Sequence, residues 1–213
     1  MSNLIKAVKT AERCQRNWDY SIPIPDEDIR TLVEVATTMP TKQNRKFYEL
    51  IVSSNPEFNK ICYTHAVDPN NSHFVNREIH RNTQANAPLI MMWRTTDQTE
   101  VEASDMFKDE YMKNYYTSVG VSSGATVLTA NALGYRTGYC NCIDHDTLMD
   151  ELEEKFDIIA DNGAPNRDAM IVGIGMPDTN FDRTECVVDG KVGFTAETID
   201  KNIDVTYITK DMQ

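Results

Sequence analysis

The stretch TSVGVSSGATVLTANALG, residues 117–134, decides the fold class. Its small and apolar residues predict a central helix over residues 117–133 that packs tightly against a sheet or a partner helix. Gly134 suits the C-terminal cap, where glycine adopts the left-handed conformation at little cost. A short strand is predicted directly afterwards, over residues 137–141, so helix and strand alternate here.

The same alternation extends along the whole chain. The hydrophobic periodicity predicts further helices at about 4–18, 26–37 and 145–156, and strands at 47–53, 88–93, 169–174 and 203–208. Residues 56–86 look helical but polar. Neither an internal repeat nor a linker interrupts the 213 residues, so the sequence predicts one domain, 1–213, of the α/β (α+β) class.

The charge balance limits the possible partners. The chain has 33 acidic and 21 basic residues, a net charge of −12. This excess argues against nucleic acid and anionic membranes as partners. Neither a transmembrane stretch nor an export signal is expected, and five cysteines without such a signal indicate reduced thiols and a cytoplasmic location.

The basic residues are nevertheless concentrated near the start of the chain. Residues 1–60 carry nine Lys/Arg and eight Asp/Glu, whereas the remaining residues carry 12 and 25. Such a segment could bind a compact anion such as a phosphate, although chance variation would also produce it.

Several motifs point to no common chemistry. Cys140 and Cys142 with His145 could ligate a metal, but no second Cys/His pair is close in sequence, and structural thiols are favoured. No nucleophile elbow is present, and Gly173-Ile-Gly175 lacks the third glycine of a dinucleotide fingerprint.

Two polar clusters are more informative. Arg13 and Arg16, three residues apart on the predicted first helix, would share a face and could clamp a phosphate, or form an ordinary solvated face. The loop Pro40-Thr-Lys-Gln-Asn44 places hydroxyl, ammonium and amide groups before a core strand, where ligands often bind. An ordinary polar loop is the alternative.

Taken in order, these pieces resemble the FMN-dependent nitroreductase family. The segments that carry the resemblance are Glu12–Trp18, Pro23–Asp28, Pro40–Tyr48, Asn86–Ile90, Ala130–Tyr135 and Met170–Pro177. They are similar to the family's arginine-rich first helix, its proline-acid helix start, its Pro-Ser-x-x-Asn loop, its Ala-Pro strand, the end of its central helix and its Gly-Tyr-Pro strand. Together they span most of residues 10–178.

The resemblance implies an FMN site and a nitroreductase-like central mixed sheet flanked by helices. It implies the following flavin-binding residues: Arg13, Cys14, Arg16 and Arg183 at the phosphate; Pro40, Thr41, Lys42 and Asn44 from the partner subunit; Asn82 or Gln84 at the ring or ribityl chain; Asn141 and Cys142 at flavin N5. Within the loop, Lys42 is the candidate for a positive charge at the pyrimidine edge. No metal and no catalytic side chain is implied, since the flavin performs the chemistry.

The resemblance also implies a homodimer. Its C-terminal tail, about residues 180–213, would wrap over the partner through the strand 203–208. The activity would be a two-electron ping-pong transfer from NAD(P)H to a nitroaromatic, quinone or enone-like acceptor. A relative that removes halogen or degrades flavin remains an alternative. So does a flavin-binding or interaction homodimer without turnover, which Glu12 favours because it stands where the family has an arginine.

Overall fold

The computed structural model describes residues 3–67, 81–96, 105–158, 168–196 and 203–206, with the backbone alone for 105–109. The described helices are α1 Asn3–Ala11, α2 Asp26–Thr38, α3 Pro56–Thr64, α4 Asp105–Ala132 and α5 His145–Phe156. The described strands are β1 Tyr48–Ser53, β2 Leu89–Thr95, β3 Arg136–Cys140, β4 Ala169–Gly175, β5 Glu185–Val188 and β6 Lys191–Thr195. The predicted α+β class is confirmed.

Strands β1 to β4 form one sheet in the order β1-β2-β4-β3. Every pairing among them is antiparallel, so the mixed sheet of the sequence analysis is not found within the described residues. The connections β1–β2 and β3–β4 return at the end of the sheet where the preceding strand finished. The connection through α4 instead crosses the sheet, so β2 and β3 run in the same direction and β4 lies antiparallel between them. The two ends are named here by their residues: Arg136 pairs with Gly175 at the Arg136 end, and Tyr48 pairs with Thr95 at the Tyr48 end.

Both faces of the sheet are covered by helices. On one face α2 and α4 bury a cluster that includes Leu32, Trp93 and Tyr115. On the other, α3 and α5 bury a cluster that includes Phe58 and Leu152. The strands β2 and β4 lie between these layers, which explains why β2 is buried along its whole length.

Local sequence explains where most helices begin and end. The side chain of Asn55 caps α3 by accepting from the backbone N–H of Glu57 at 2.8 Å. Three acidic residues occupy the first turn of α2, where the helix dipole favours negative charge. Gly134 follows α4 with a φ of 104°, as the C-cap prediction requires.

The first helix is shorter than predicted, and this changes the context of Arg13 and Arg16. It ends at Ala11 instead of Trp18, because contacts with the sheet replace the helical hydrogen bonds. The N–H of Gln15 donates to the Thr137 carbonyl at 2.8 Å, and the Trp18 indole donates to the Thr83 carbonyl at 2.9 Å. The two arginines therefore do not share a helix face.

The C-terminal region also differs from the sequence analysis. A hairpin of β5 and β6 was missed, although its Asp189-Gly190 turn, with φ values of 50° and 72°, is a standard hairpin signal. Residues 203–206 of the predicted strand 203–208 are exposed and form no strand, and residues 207–208 lie outside the described part. No described helix is long and apolar enough to cross a membrane.

Candidate functional site

Four arginines lie near the point where the segment after α1 meets the Arg136 end of the sheet: Arg13 and Arg136 act on the charge of Arg183, and Arg16 contacts Cys14, which also interacts with Arg183. This arginine cluster consists of Arg13, Arg16, Arg136 and Arg183. The side-chain NH1 of Arg16 lies 3.5 Å from the Cys14 carbonyl, and that of Arg183 donates to the Thr10 carbonyl at 3.4 Å. Residues that were predicted to bind the phosphate and that come from the two ends of the chain, such as Arg13 and Arg183, thus lie close together.

Arg183 is the least satisfied member of the cluster. Its Nε and NH2 atoms are buried and have no hydrogen-bond partner among the residues that the structure describes. Burial lowers the pKa of Arg183, and the nearby positive charges of Arg136 and Arg13 act in the same direction, whereas Cys14 and the Asp182 carboxylate act in the opposite one. Since a guanidinium remains charged in proteins, its buried N–H groups need an acceptor. An anion would supply that acceptor and offset the repulsion.

Glycines on the edge strand β3 and its neighbour β4 allow loops to approach the sheet closely. A Cβ at Gly138 would lie 2.4 Å from the Gln15 carbonyl oxygen, and a Cβ at Gly173 would lie 1.9 Å from that of Gln84. These distances are too short for any side chain. Gly173 therefore serves loop packing and not a dinucleotide fingerprint.

The close approach places Gln84 and Asn82 beside β3. Gln84 is 5% exposed; its Nε2 lies 3.4 Å from the Tyr139 carbonyl, while its buried Oε1 has no partner. Asn82 contacts the Ala66 carbonyl through Nδ2 at 3.3 Å and hydrogen-bonds the Cys140 thiol. Gln84 thus offers an unused acceptor to a ligand along this strand.

The turn at Asn141 and Cys142 lies at the opposite end of β3, and both residues are exposed. The five residues of β3 span roughly 13 Å between this turn and Arg136. One edge strand therefore connects the arginine cluster, the Gln84 side chain and this turn. An elongated ligand with an anionic end matches that arrangement.

The two thiols near the turn differ in exposure: Cys140 is buried and Cys142 is exposed. Burial raises the pKa of Cys140 to about 12, which keeps the thiol protonated. His145 is engaged through Nδ1, which accepts from the Ala169 N–H at 3.1 Å. Within the described ranges, no three His, Cys, Asp or Glu side chains converge in a way that could hold a metal ion.

The predicted loop Pro40–Asn44 is not near these residues in a single chain. It leads into β1, which is the other edge of the sheet, and it enters at the Tyr48 end. The arginine cluster differs from this loop by roughly 20 Å along the strands and by three strand spacings, roughly 14 Å, across them, whereas the turn at Asn141 and Cys142 is separated from it mainly by the roughly 14 Å across the sheet. Thr41, Lys42 and Asn44 therefore lie at the opposite sheet edge from a ligand along β3.

Two arginines of this region were missed by the sequence analysis. Arg136 directly precedes the predicted strand 137–141 and was not singled out, because its place in the cluster depends on the tertiary proximity of Arg183. Arg81 precedes Asn82; its guanidinium lies 5.8 Å from the ring centroid of Tyr63, and its buried Nε has no partner. The only sequence signal for Arg81 was its position directly before Asn82, which had been predicted to bind the flavin.

Known structures with a similar fold are numerous. A nitroreductase with bound FMN from Bacteroides fragilis NCTC 9343 has a TM-score of 0.64 and 14% identity, and the match covers 98% of this chain and 100% of that chain. The chain has the nitroreductase fold. A BluB-like flavoprotein from Clostridium difficile 630 has a TM-score of 0.61 and 17% identity, with 85% and 93% coverage.

A nitroreductase family protein from Clostridium novyi NT is similar as well, with a TM-score of 0.61, 14% identity and 86% and 90% coverage. No protein-family model and no curated protein matches the chain. The likeness is therefore one of three-dimensional structure, and the nitroreductase fold predicted from the ordered motifs is confirmed. At these identities, the residues of the site have to be judged by their own geometry.

Proposed function

We propose that the protein is an FMN-dependent oxidoreductase that transfers two electrons from NADH or NADPH to a nitroaromatic, quinone or enone-like acceptor in a ping-pong reaction. The observation that carries the proposal is Arg183, whose two buried nitrogens without partners lie within an arginine cluster. A phosphate provides several strong acceptors for such donors. The FMN in the Bacteroides fragilis structure supports a flavin as the ligand.

The residues fit the three parts of FMN in order along β3. The arginine cluster would bind the phosphate, Gln84 Oε1 would accept from a ribityl hydroxyl, and the turn at Asn141 and Cys142 would face the ring. When bound, FMN supplies the two-electron chemistry, accepting hydride from the nicotinamide and passing it to the acceptor. The chain would orient the ring, and the backbone N–H groups of Asn141 and Cys142 would be the donors toward it.

The proposal includes a homodimer, because Pro40, Thr41, Lys42 and Asn44 lie at the opposite edge of the sheet from β3. A stripe of small or apolar residues on α4, including Gly120, Val121 and Gly124, is exposed. Apart from the backbone of α4 itself, no described atom lies within 4 Å of a Cβ added at either glycine. A second α4 could approach this stripe closely, and the tail around residues 203–206 could extend over the partner.

The variant Val121→Asp is expected to convert the dimer into monomers and to weaken FMN retention. Val121 is 42% exposed, so an aspartate costs the monomer little but would place charge in the apolar contact. Sedimentation or light scattering gives the mass, and the flavin absorbance gives the retention. Ile22→Asp, at a residue also 42% exposed but away from α4, is the control. Equal masses for both variants would contradict the α4 interface.

Anaerobic reduction tests the activity. The protein reconstituted with FMN should be yellow, lose its visible absorbance on addition of NADH or NADPH, and regain it with a quinone or nitroaromatic. Protein that binds FMN but does not bleach would support the alternative of a flavin-binding dimer without turnover. Protein that takes up no FMN would contradict both readings.

A further inference from the structure

The side chain of Lys42 is held by an acidic residue of its own subunit. Its Nζ contacts Oε1 of Glu110 on α4, and the two side chains are 47% and 52% exposed. The loop around Lys42 has a defined shape, with left-handed backbone at Gln43 and Asn44, both at a φ of 56°. The Thr41 hydroxyl closes it by donating to the Arg45 carbonyl at 2.7 Å.

The next residue of α4 fastens the other end of this loop. The hydroxyl of buried Tyr111 donates to the Phe47 carbonyl at 3.1 Å. Consecutive residues of one helix thus contact the loop at Lys42 and at Phe47. The position of the Lys42 ammonium relative to the sheet edge is therefore set by α4 and not by the loop alone.

The contact also changes the charge that Lys42 presents. A hydrogen bond from Lys42 and its positive charge hold the pKa of the Glu110 carboxyl below its usual range, so Glu110 is ionised at neutral pH. An exposed ion pair of this kind contributes little to the stability of the fold, so a gain in stability does not explain the contact between Lys42 and Glu110. Its electrostatic effect would grow once a second subunit excluded water from it.

We propose that Glu110 is a positioning residue that holds Lys42 toward the partner's flavin and reduces its net charge there, thereby lowering the reduction potential of the bound FMN. The inference rests on the proposed function, since it requires FMN in a dimer and Lys42 at the flavin ring. A positive charge near the ring stabilises the negative charge that reduction adds. Neutralising that positive charge with Glu110 makes the flavin harder to reduce and a stronger donor once reduced.

The test is the midpoint potential of FMN bound to the full-length dimer, measured against a reference dye. Glu110→Gln should raise the potential, Lys42→Met should lower it, and the double variant should match Lys42→Met. Glu110→Asp, which retains the charge, should remain close to the wild type. Glu153→Gln on the exposed side of α5 is the charge-matched control and should cause no shift.

The outcomes separate this inference from the proposed function. FMN binding with no shift for Glu110→Gln, or with a fall, would overturn the role of Glu110 and leave the flavin site standing. An equal rise in the Lys42→Met background would also overturn it, because Glu110 would then act directly and not through Lys42. Failure of every form to bind FMN would overturn both proposals.

Discussion

The variant Arg183→Met is expected to weaken FMN binding by about 100-fold or more without destabilising the fold. Two buried guanidinium nitrogens of Arg183 lack partners, and a hydrogen bond to a charged group contributes about 1.5–3 kcal/mol. Without a ligand, burying these N–H groups costs free energy that no hydrogen bond offsets. Methionine at this position should therefore leave the melting temperature unchanged or raise it. Isothermal titration with FMN and a thermal scan measure the two effects.

The matched control for this variant is Arg30→Met on the exposed surface of α2. It removes the same charge from the protein without touching the arginine cluster, and it should leave FMN affinity close to the wild type. Equal losses in both variants would show that net charge, and not the cluster, attracts FMN. A lower melting temperature for Arg183→Met would show that Arg183 has a structural role instead.

The second large effect is expected for Gly173→Ala, which should destabilise the protein by at least about 3 kcal/mol. The new Cβ would lie 1.9 Å from the Gln84 carbonyl oxygen and 2.8 Å from the Cβ of Ala87, so either β4 or the loop must move. Overpacking against side chains costs about 1–3 kcal/mol, and a backbone oxygen yields less readily. Urea unfolding followed by circular dichroism measures the loss.

Gly124→Ala, made in the monomeric Val121→Asp background, provides the comparison, because no described atom outside its own helix lies within 4 Å of a Cβ there. In a helix this change is expected to be neutral or slightly stabilising, by about 0.5–1 kcal/mol. If Gly173→Ala unfolded at the same urea concentration as the wild type, the loop would not lie as close to β4 as described. The placement of Gln84 beside β3 would then lose its support.

Regular elements were predictable where local signals agreed with tertiary packing. Helix α5, expected at about 145–156, occupies His145–Phe156, since its apolar periodicity and the Asp144 cap coincide. The first helix was overextended, because the hydrogen bond from Gln15 to Thr137 depends on a strand more than 120 residues away. No local pattern carries that information.

The site was predictable only in part, and for a similar reason. The resemblance predicted Arg13, Arg16 and Arg183 at a phosphate, which stays a prediction, and the structure brings the segments of Arg13 and Arg183 together. That Arg183 has buried nitrogens without partners, and that Arg136 joins the cluster, follows from packing alone. The net charge of −12 likewise conceals a local concentration of arginines, which is where an anion would bind.

The most direct test of the central claim compares the affinities of the wild-type protein for FMN and for riboflavin, which lacks the phosphate. If the arginine cluster binds the phosphate, FMN should bind about 100-fold or more tightly than riboflavin at low salt. The difference should largely disappear in Arg183→Met. Equal affinities for the two flavins, or no binding of FMN, would contradict the assignment of this cluster as the phosphate site.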